Sequence, residues 1–492
     1  MMKKRINTKK LLSFLLAVML IFSTLLSLSS CADIEGKEEE ETVKPKKRHE
    51  HPNIPAISYN GHVFTFLTDN SQPNRSFIVA ESETGEVMSD VITKRNKALI
   101  EKYDISIGHK RTNNVIEEVE NAVNSGVIDF DAILAKGSDL SPLAISGMLC
   151  DLNTTDLTLD GRYTNEFFYD QNANEQLAFG DKLYFTNCAF NIHSFGYVMF
   201  FNKYLIEEYN LTSPYEMIKN NTWTIDNWAE LVKKVNKDLD HDKEMTAADR
   251  YGYLYSYSDS KIFYYASGIR ASSKNENGNM VSTLLDDKIK LESIYTKLYN
   301  LYANSEYTIQ KDYVNENAPK TNKKQFYANY LLSCDYYLFT CADATMALEL
   351  WEMEHEFGIL PIPKLDSDQK DYMTLYPEDG YLFALPSLMP DPERTFNIIE
   401  DMNYYSSFII KPIWYDVLLN RRYARDNESE ETLRTLNNNR VYDIGLYCDI
   451  GGIRSNIVDA VYTPTNSNIS RRYEIFKKRI QDEIDLFNSN FS

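Results

Sequence analysis

The strongest constraint on this chain is the way two hydrophobic periods alternate between residues 62 and 134. His62-Val63-Phe64-Thr65-Phe66-Leu67 repeats every second residue, as a strand does, and runs into the polar turn Thr68-Asp69-Asn70-Ser71-Gln72-Pro73. Val91 to Tyr103 carries apolar residues at helical spacing, and Ile105-Ser106-Ile107 reads as a short strand. Val115, Ile116, Val119, Ala122 and Val123 share one helix face. Phe130-Asp131-Ala132-Ile133-Leu134 forms a third strand, followed by Lys136-Gly137-Ser138-Asp139. Periods of two and 3.6 in this order predict strand, helix, strand, helix, strand. Such a series buries its apolar faces as a parallel sheet flanked by helices, an α/β fold. Ligands of these sheets sit beyond the C-terminal ends of the strands. The turns at Asp69-Asn70 and Ser138-Asp139 are therefore candidate walls of a site, against the plainer reading of solvated turns.

The N-terminus sets where the chain works. Lys3, Lys4, Arg5, Lys9 and Lys10 precede an apolar run from Leu11 to Leu28, which ends in Ser29-Ser30-Cys31. A basic region, an apolar region and small residues at a cut site make a secretory signal. A cysteine directly after the small residues looks like a bacterial lipoprotein signal, cleaved before a lipidated Cys31. A short membrane-spanning helix and an ordinary cleaved signal are the alternatives. Residues 1–30 are thus expected to be leader, and residues 31–56 a flexible tether. The tether holds an acidic block (Glu38 to Glu41), a basic block (Lys44, Lys46, Lys47, Arg48) and too little apolar surface to offset chain entropy.

The remaining chain suffices for two or more domains at roughly 100–200 residues each. Net charge is −20, and about −25 once the five basic leader residues are removed. Such a surface repels phosphate backbones, so a nucleic-acid partner is not expected. Six cysteines (Cys31, Cys150, Cys188, Cys334, Cys341, Cys448) include no C-x-x-C pair, and buried free thiols are favoured over a disulfide framework or a zinc cage. Neither a Walker loop, nor a G-x-S-x-G elbow, nor a G-x-G-x-x-G fingerprint occurs, which weighs against an enzyme.

Further along, Asp181 to Phe185 and Tyr197-Val198-Met199-Phe200-Phe201 read as strands, the latter followed at once by a helix from Asn202 to Tyr209. Thr224 is placed to cap a helix whose Trp228, Leu231 and Val235 face inward. Phe357 to Leu360 reads as a short buried strand, and Asp391 before Pro392 as a capped helix start. Trp223, Trp228, Trp351 and Trp414 lie in helical patterns and are expected to pack in the core.

The strand ending in Phe-Asn-Lys, the helix after it, and the block Asn220-Asn221-Thr222-Trp223-Thr224 resemble the extracellular solute-binding proteins of bacterial ABC importers, family 1, the sugar-binding branch. Tyr264 to Arg270, Phe357 to Lys364, Asp391 to Thr395, Trp414 to Leu419, Tyr423 to Asp426 and Asn439 to Gly445 are similar to family segments in the same order. This resemblance implies a two-lobe periplasmic-binding-protein-like fold of type II, with several crossovers between lobes. It puts the first part of lobe 1 at 57–190, mainly lobe 2 at 191–375, and crossover and C-terminal helices shared between lobes at 376–492. It also implies a monomer that needs no cofactor, captures a carbohydrate outside the cytoplasmic membrane and docks on ABC permease subunits.

Asp238, Asp240, Asp242, Glu244 and Asp249 stand at positions 1, 3, 5, 7 and 12 of an EF-hand-like spacing, which would aim carboxylates at a structural calcium ion. Lys243 occupies the place where such a loop wants glycine, so a solvated acidic turn is the competing reading. A sugar offers an apolar ring face and a rim of hydroxyls. Aromatic side chains cover the first, and Asp, Asn and Arg pair the second. The ligand-binding candidates on expected turns are Asp69, Asn70, Ser138, Asn187, Tyr257, Tyr265, Arg270, Asp343, Tyr376 and Asp379. Most of the 35 tyrosines are expected in the core. A secreted glycoside hydrolase, with two carboxylates across a cleft, and a sensor for a membrane receptor are the rival functions.

Overall fold

The computed structural model describes residues 52–70, 78–79, 87–153, 166–191, 196–284, 286–303, 306–317, 335–348, 350, 355–414, 426–456 and 469–491. The leader, Cys31, the tether up to residue 51, Cys334 and Trp351 lie outside the described residues. Chain contacts divide Met1–His49 from Glu50–Ser492, and everything below concerns the second unit.

The alternating segments become a five-stranded sheet in the order β2-β1-β3-β13-β4. Its strands are β1 (His62–Asp69), β2 (Ile105–Thr112), β3 (Ala132–Lys136), β4 (Phe185–Thr186) and, from late in the chain, β13 (Tyr381–Ala384). β1 runs parallel to β2 and β3, as the pattern requires, while β13 is antiparallel to both β3 and β4. The period of two sorts the side chains cleanly. Phe64, Phe66, Leu134 and Phe383 pack on one face, with Leu99 of α1 (Val87–Tyr103). Leu67, Ile133, Ala135 and Leu382 pack on the other, with Val119 of α2 (Val115–Ser125) and Leu140 of α3 (Gly137–Ile145). Each fully buried Phe or Leu here contributes about 1.5–3 kcal/mol.

A second sheet, order β11-β5-β10-β6-β9, repeats the construction. It comprises β5 (Tyr197–Asn202), β6 (Tyr251–Tyr255), β9 (Thr308–Gln310), β10 (Tyr337–Asp343) and β11 (Phe357–Leu360). Along β5, Val198 and Phe200 face one apolar cluster, and Met199 and Phe201 the other. Outside these two sheets, β7 (Ser272–Lys274) and β8 (Met280–Ser282) form a hairpin, and β12 (Thr374–Leu375) pairs in parallel with β14 (Arg440–Val441).

The chain passes between the sheets more than once. It leaves the first after β4, enters the second at β5, and returns through β12 to β13. After α7 (Pro392–Tyr405), which packs on the first sheet, α8 (Asn427–Asn438) lies against β11, and β14 leads back again. The β12–β14 pair thus sits at the junction, and beside it Tyr376 and Tyr442 stack with ring centroids 4.9 Å apart.

Local expectations are met where a cap is involved. The Thr224 hydroxyl accepts from the Asn227 amide at the start of α5 (Ile225–Val232), and the Asp391 carboxylate accepts from the Arg394 amide with Pro392 in the first turn of α7. Trp223, Trp228 and Trp414 are buried, and the Trp223 indole N–H donates to the Pro361 carbonyl. Two strand boundaries differ from expectation. The third strand runs on to Lys136, and the helix α3 starts directly at Gly137. Only glycine fits there, since a Cβ would lie 2.1 Å from the Tyr447 ring. The segment expected as a strand from Asp181 joins the sheet only at Phe185, because Gly180, at φ 65°, turns the chain so that Phe179 pairs with Lys182. Cys150, Cys188, Cys341 and Cys448 are free thiols, and burial pushes all four well up from their usual range.

Candidate functional site

The C-terminal ends of β1 and β3 bring Asp69, Lys136, Ser138 and Asp139 together, as the rule for parallel sheets predicts. Lys136 Nζ lies 3.6 Å from Asp69 Oδ2, and the Tyr381 hydroxyl donates to Asp69 Oδ1 at 2.7 Å. Asp69, Asn70, Lys136 and Asp139 line a cavity of about 340 Å3. Desolvation raises the Asp139 carboxyl pKa against the pull of Lys136, with Asp69 adding to the rise. The turn before β13 closes this edge. Its Glu378 and Gly380 carbonyls accept from the Ser138 and Gly137 amides, at 2.8 and 3.1 Å.

The second sheet meets this edge through α6 (Asp259–Ala266), which follows β6, and through the ends of β5 and β10. Lys261 on α6 donates to Glu378 Oε1 at 2.5 Å, both side chains mostly shielded from water, so the pair spans the two halves. Glu378 Oε2 is buried with no hydrogen-bond partner. Burial, with the charges of Asp379, Glu378, Asp343 and Asp259, pushes the Tyr197 phenol well up. Desolvation, reinforced by Glu378, raises Asp379 as well. Asp343, at the end of β10, accepts from the Gly196 and Thr345 amides and from the Thr345 hydroxyl. Beneath it, Asp259 is fully buried among the sheet residues and rises to about 7 through desolvation, opposed by donors from Tyr253 and the Ser256 amide. The result is a polar gap beyond the ends of β1 and β3, next to the turn before β13 through which Glu378 reaches Lys261 of the other half; its carboxylates and lysines are suited to pairing hydroxyl groups.

Of the ten ligand-binding candidates, Asp69 and Asn70 line the cavity, Ser138 adjoins it through the hydrogen bond its amide donates to the Glu378 carbonyl, and Asp343 and Asp379 lie near Tyr197 where the other half approaches. Tyr257 lies on the exposed loop after β6. The other four are placed elsewhere. Asn187 and Tyr376 are buried at the junction: Asn187 donates to the Tyr442 hydroxyl and accepts from Asn191, and the Tyr376 hydroxyl donates to the Tyr381 carbonyl. Tyr265 sits in the apolar core against the second sheet. The Arg270 guanidinium is occupied by the Tyr265 and Ile269 carbonyls and the Met373 sulfur. Lys136, Tyr197, Lys261 and Glu378 were not among the candidates. Lys136 and Glu378 each stand within two residues of one, while nothing local singles out Lys261.

The acidic loop assembles in part. Oxygens of Asp238, Asp240 and Asp242 lie within 4.8 Å of one another, but Glu244 and Asp249 do not join them. Asp249 is fully buried, and its carboxylate accepts from the Leu239 and Thr246 amides and the Thr246 hydroxyl. Asp238 accepts from His241 and Lys243, both at positive φ (63° and 71°), so the backbone amides curl onto the first carboxylate. Three carboxylates do not supply the six to eight oxygens that calcium takes, and the five-residue set read from the spacing is corrected to these three.

No protein-family model and no curated protein matches the chain. Solved structures do, and they share a two-lobe α/β fold of the periplasmic binding-protein type. One is the galacto-N-biose/lacto-N-biose I-binding protein of an ABC transporter from Bifidobacterium longum, in complex with lacto-N-biose: 14% identity over 87% of this chain and 98% of that one, TM-score 0.55. The GacH receptor of Streptomyces glaucescens, solved unliganded and with acarbose, is 12% identical over 86% and 99%, TM-score 0.53. The maltose/maltodextrin-binding domain MalE of Bdellovibrio bacteriovorus, bound to maltotriose, is 13% identical over 86% and 100%, TM-score 0.51.

Proposed function

We propose that this protein is a lipid-anchored, extracellular solute-binding protein that captures a sugar or oligosaccharide for an ABC importer and encloses it by closure about the β12–β14 junction. The observation that carries the reading is the polar gap itself. The strand ends of the first sheet (Asp69, Lys136) line it with Asp139, and the Lys261–Glu378 ion pair ties the turn beside it to the half built on the second sheet. Ligand contacts to both walls exist only when the walls are close, so binding shifts the population towards that state. The neighbours named above, bound to lacto-N-biose, acarbose and maltotriose, support a carbohydrate as the ligand. The anchor is Cys31, lipidated after removal of residues 1–30, and the protein works as a monomer on permease subunits in the membrane.

The test is calorimetric titration of the purified protein with maltotriose, maltotetraose, lacto-N-biose and cycloalternan. Saturable binding of at least one, weakened by Asp343→Ala and Asp379→Asn, is expected; no heat with any of them overturns the carbohydrate reading. Release of reducing sugar from the same oligosaccharides would instead favour the hydrolase. For the anchor, radiolabelled palmitate should mark the wild-type protein in cells and not Cys31→Ser.

A further inference from the structure

Behind the junction lies a second cavity, of about 320 Å3, that shares no lining residue with the gap. Its walls come from the segment after β4 (Asn187, Asn191), from the stretch that follows α7 (Lys411), and from α4 (Gln171–Gln176) with β14. Three of the segments that join the sheets therefore meet around one polar space.

The charges in it are unevenly matched. Arg440 pairs with Asp170 at 3.2 Å, and Asp170 is used up: it also accepts from the Tyr442 hydroxyl and caps α4 at the Asn172 and Ala173 amides. Lys411 has no such partner. Its ammonium donates to one neutral acceptor, the Phe167 carbonyl at 3.1 Å, and no carboxylate among the described residues lies within ion-pair distance. Burial, with Arg440 nearby, pulls it down to about 8 in spite of the opposing charges of Cys188 and Asp170, the latter committed to Arg440. Glu166, the remaining acid of the lining, stands exposed at the rim. A shielded cation without a counter-ion is costly, and an anion beside it removes the cost. On the same lining Asn191 is 4% exposed, and its amide nitrogen is spent on Asn187 Oδ1 and the Tyr381 carbonyl. Its Oδ1 has no partner. That oxygen is closed off from the cavity, and the amide side chains open to it include those of Gln171 and Asn172, which can pair hydroxyl groups.

We propose that this cavity is a second binding site, distinct from the gap, for a small hydroxylated carboxylate of the size of one acidic sugar. The carboxylate pairs with Lys411, and the hydroxyls meet the amide side chains of Gln171 and Asn172. The volume stands at the low end of ligand pockets, which admits a monosaccharide and excludes a chain of them. Since the walls are the connecting segments, an occupant ties them together and biases the geometry at the junction.

The experiment is calorimetric titration of the full-length protein with galacturonate, alongside galactose and inorganic phosphate. Galacturonate is expected to bind at least tenfold more tightly than either. Lys411→Met should weaken it tenfold or more, while Asp379→Asn, in the gap, leaves the titration as it was. Asn438→Asp, on the exposed rim, adds a negative charge without touching the interior and should weaken binding in the same direction, so that a poorly folded Lys411→Met does not decide the matter. Equal affinity in Asn438→Asp and wild type, loss of binding in Asp379→Asn, or no binding of galacturonate at millimolar concentration would each overturn the proposal. Phosphate binding as tightly as galacturonate would overturn the sugar part of it.

Discussion

The junction and the gap are built from the same residue types and treat them in opposite ways. At the junction, Asp170 meets Arg440, Tyr442 and two helix amides, Asn187 meets Tyr442 and Asn191, and the Tyr447 hydroxyl donates to the Tyr376 and Pro377 carbonyls. In the gap, a few residues away, Glu378 keeps a buried oxygen unpaired, and desolvation raises Asp139 and Asp379 in spite of the opposing charges of Lys136 and Lys261. Where the network is satisfied it fixes one geometry, while Glu378 Oε2 in the gap and Asn191 Oδ1 at the edge of the junction are left without partners. The lesson is that polarity alone does not mark a site.

Breaking the junction should therefore cost the most. Asp170→Ala strips Arg440 of its counter-ion and α4 of its cap, and should destabilise by about 3–5 kcal/mol in chemical denaturation. Next comes a pH test beneath the gap. Asp259 is raised in the fold, so the native state holds its proton more tightly than the unfolded chain does. Stability is then greatest below the unfolded value near 4 and falls as pH rises towards 7, at up to about 1.4 kcal/mol per unit. Asp259→Asn should flatten that slope in melts recorded between pH 4 and 7.

Gly137→Ala drives a methyl group into Tyr447 under the gap and should cost about 1–3 kcal/mol by the same denaturation assay. At the gap, Glu378→Gln takes the charge from a bridge to Lys261 that is as shielded as Asp170–Arg440 but leaves a hydrogen-bonding side chain in place and removes no helix cap, so about 1–3 kcal/mol should be lost. Its effect on sugar affinity should exceed its effect on melting. An equal or larger melting loss for Glu378→Gln than for Asp170→Ala would erase the contrast between the two regions.

Much of this was legible in sequence where the signal is local. The two periods between residues 62 and 134 gave the parallel strands, and the strand-end rule pointed to the turn where Asp69 and Asn70 line a cavity. Capping chemistry placed Thr224 and Asp391 at helix starts. What the sequence did not reveal is what depends on distance. Tyr265 belongs to a helix buried along its whole length, and Tyr376 stacks on Tyr442, 66 residues away, so neither could be told from a surface tyrosine by its neighbours in the chain. The Lys261–Glu378 pair joins residues 117 apart. The acidic loop failed for the converse reason: its spacing was right, yet Asp249 turned to the loop's own amides, which no spacing reveals.

The most direct test of the account is small-angle X-ray scattering of the purified protein with and without a saturating amount of the sugar that titrates best among maltotriose, maltotetraose, lacto-N-biose and cycloalternan. Two lobes that close on a ligand predict a fall in radius of gyration on adding the sugar, and no fall for Asp379→Asn at the same concentration where its binding is lost. A sugar that binds stoichiometrically while the scattering curve stays unchanged would contradict closure about the β12–β14 junction.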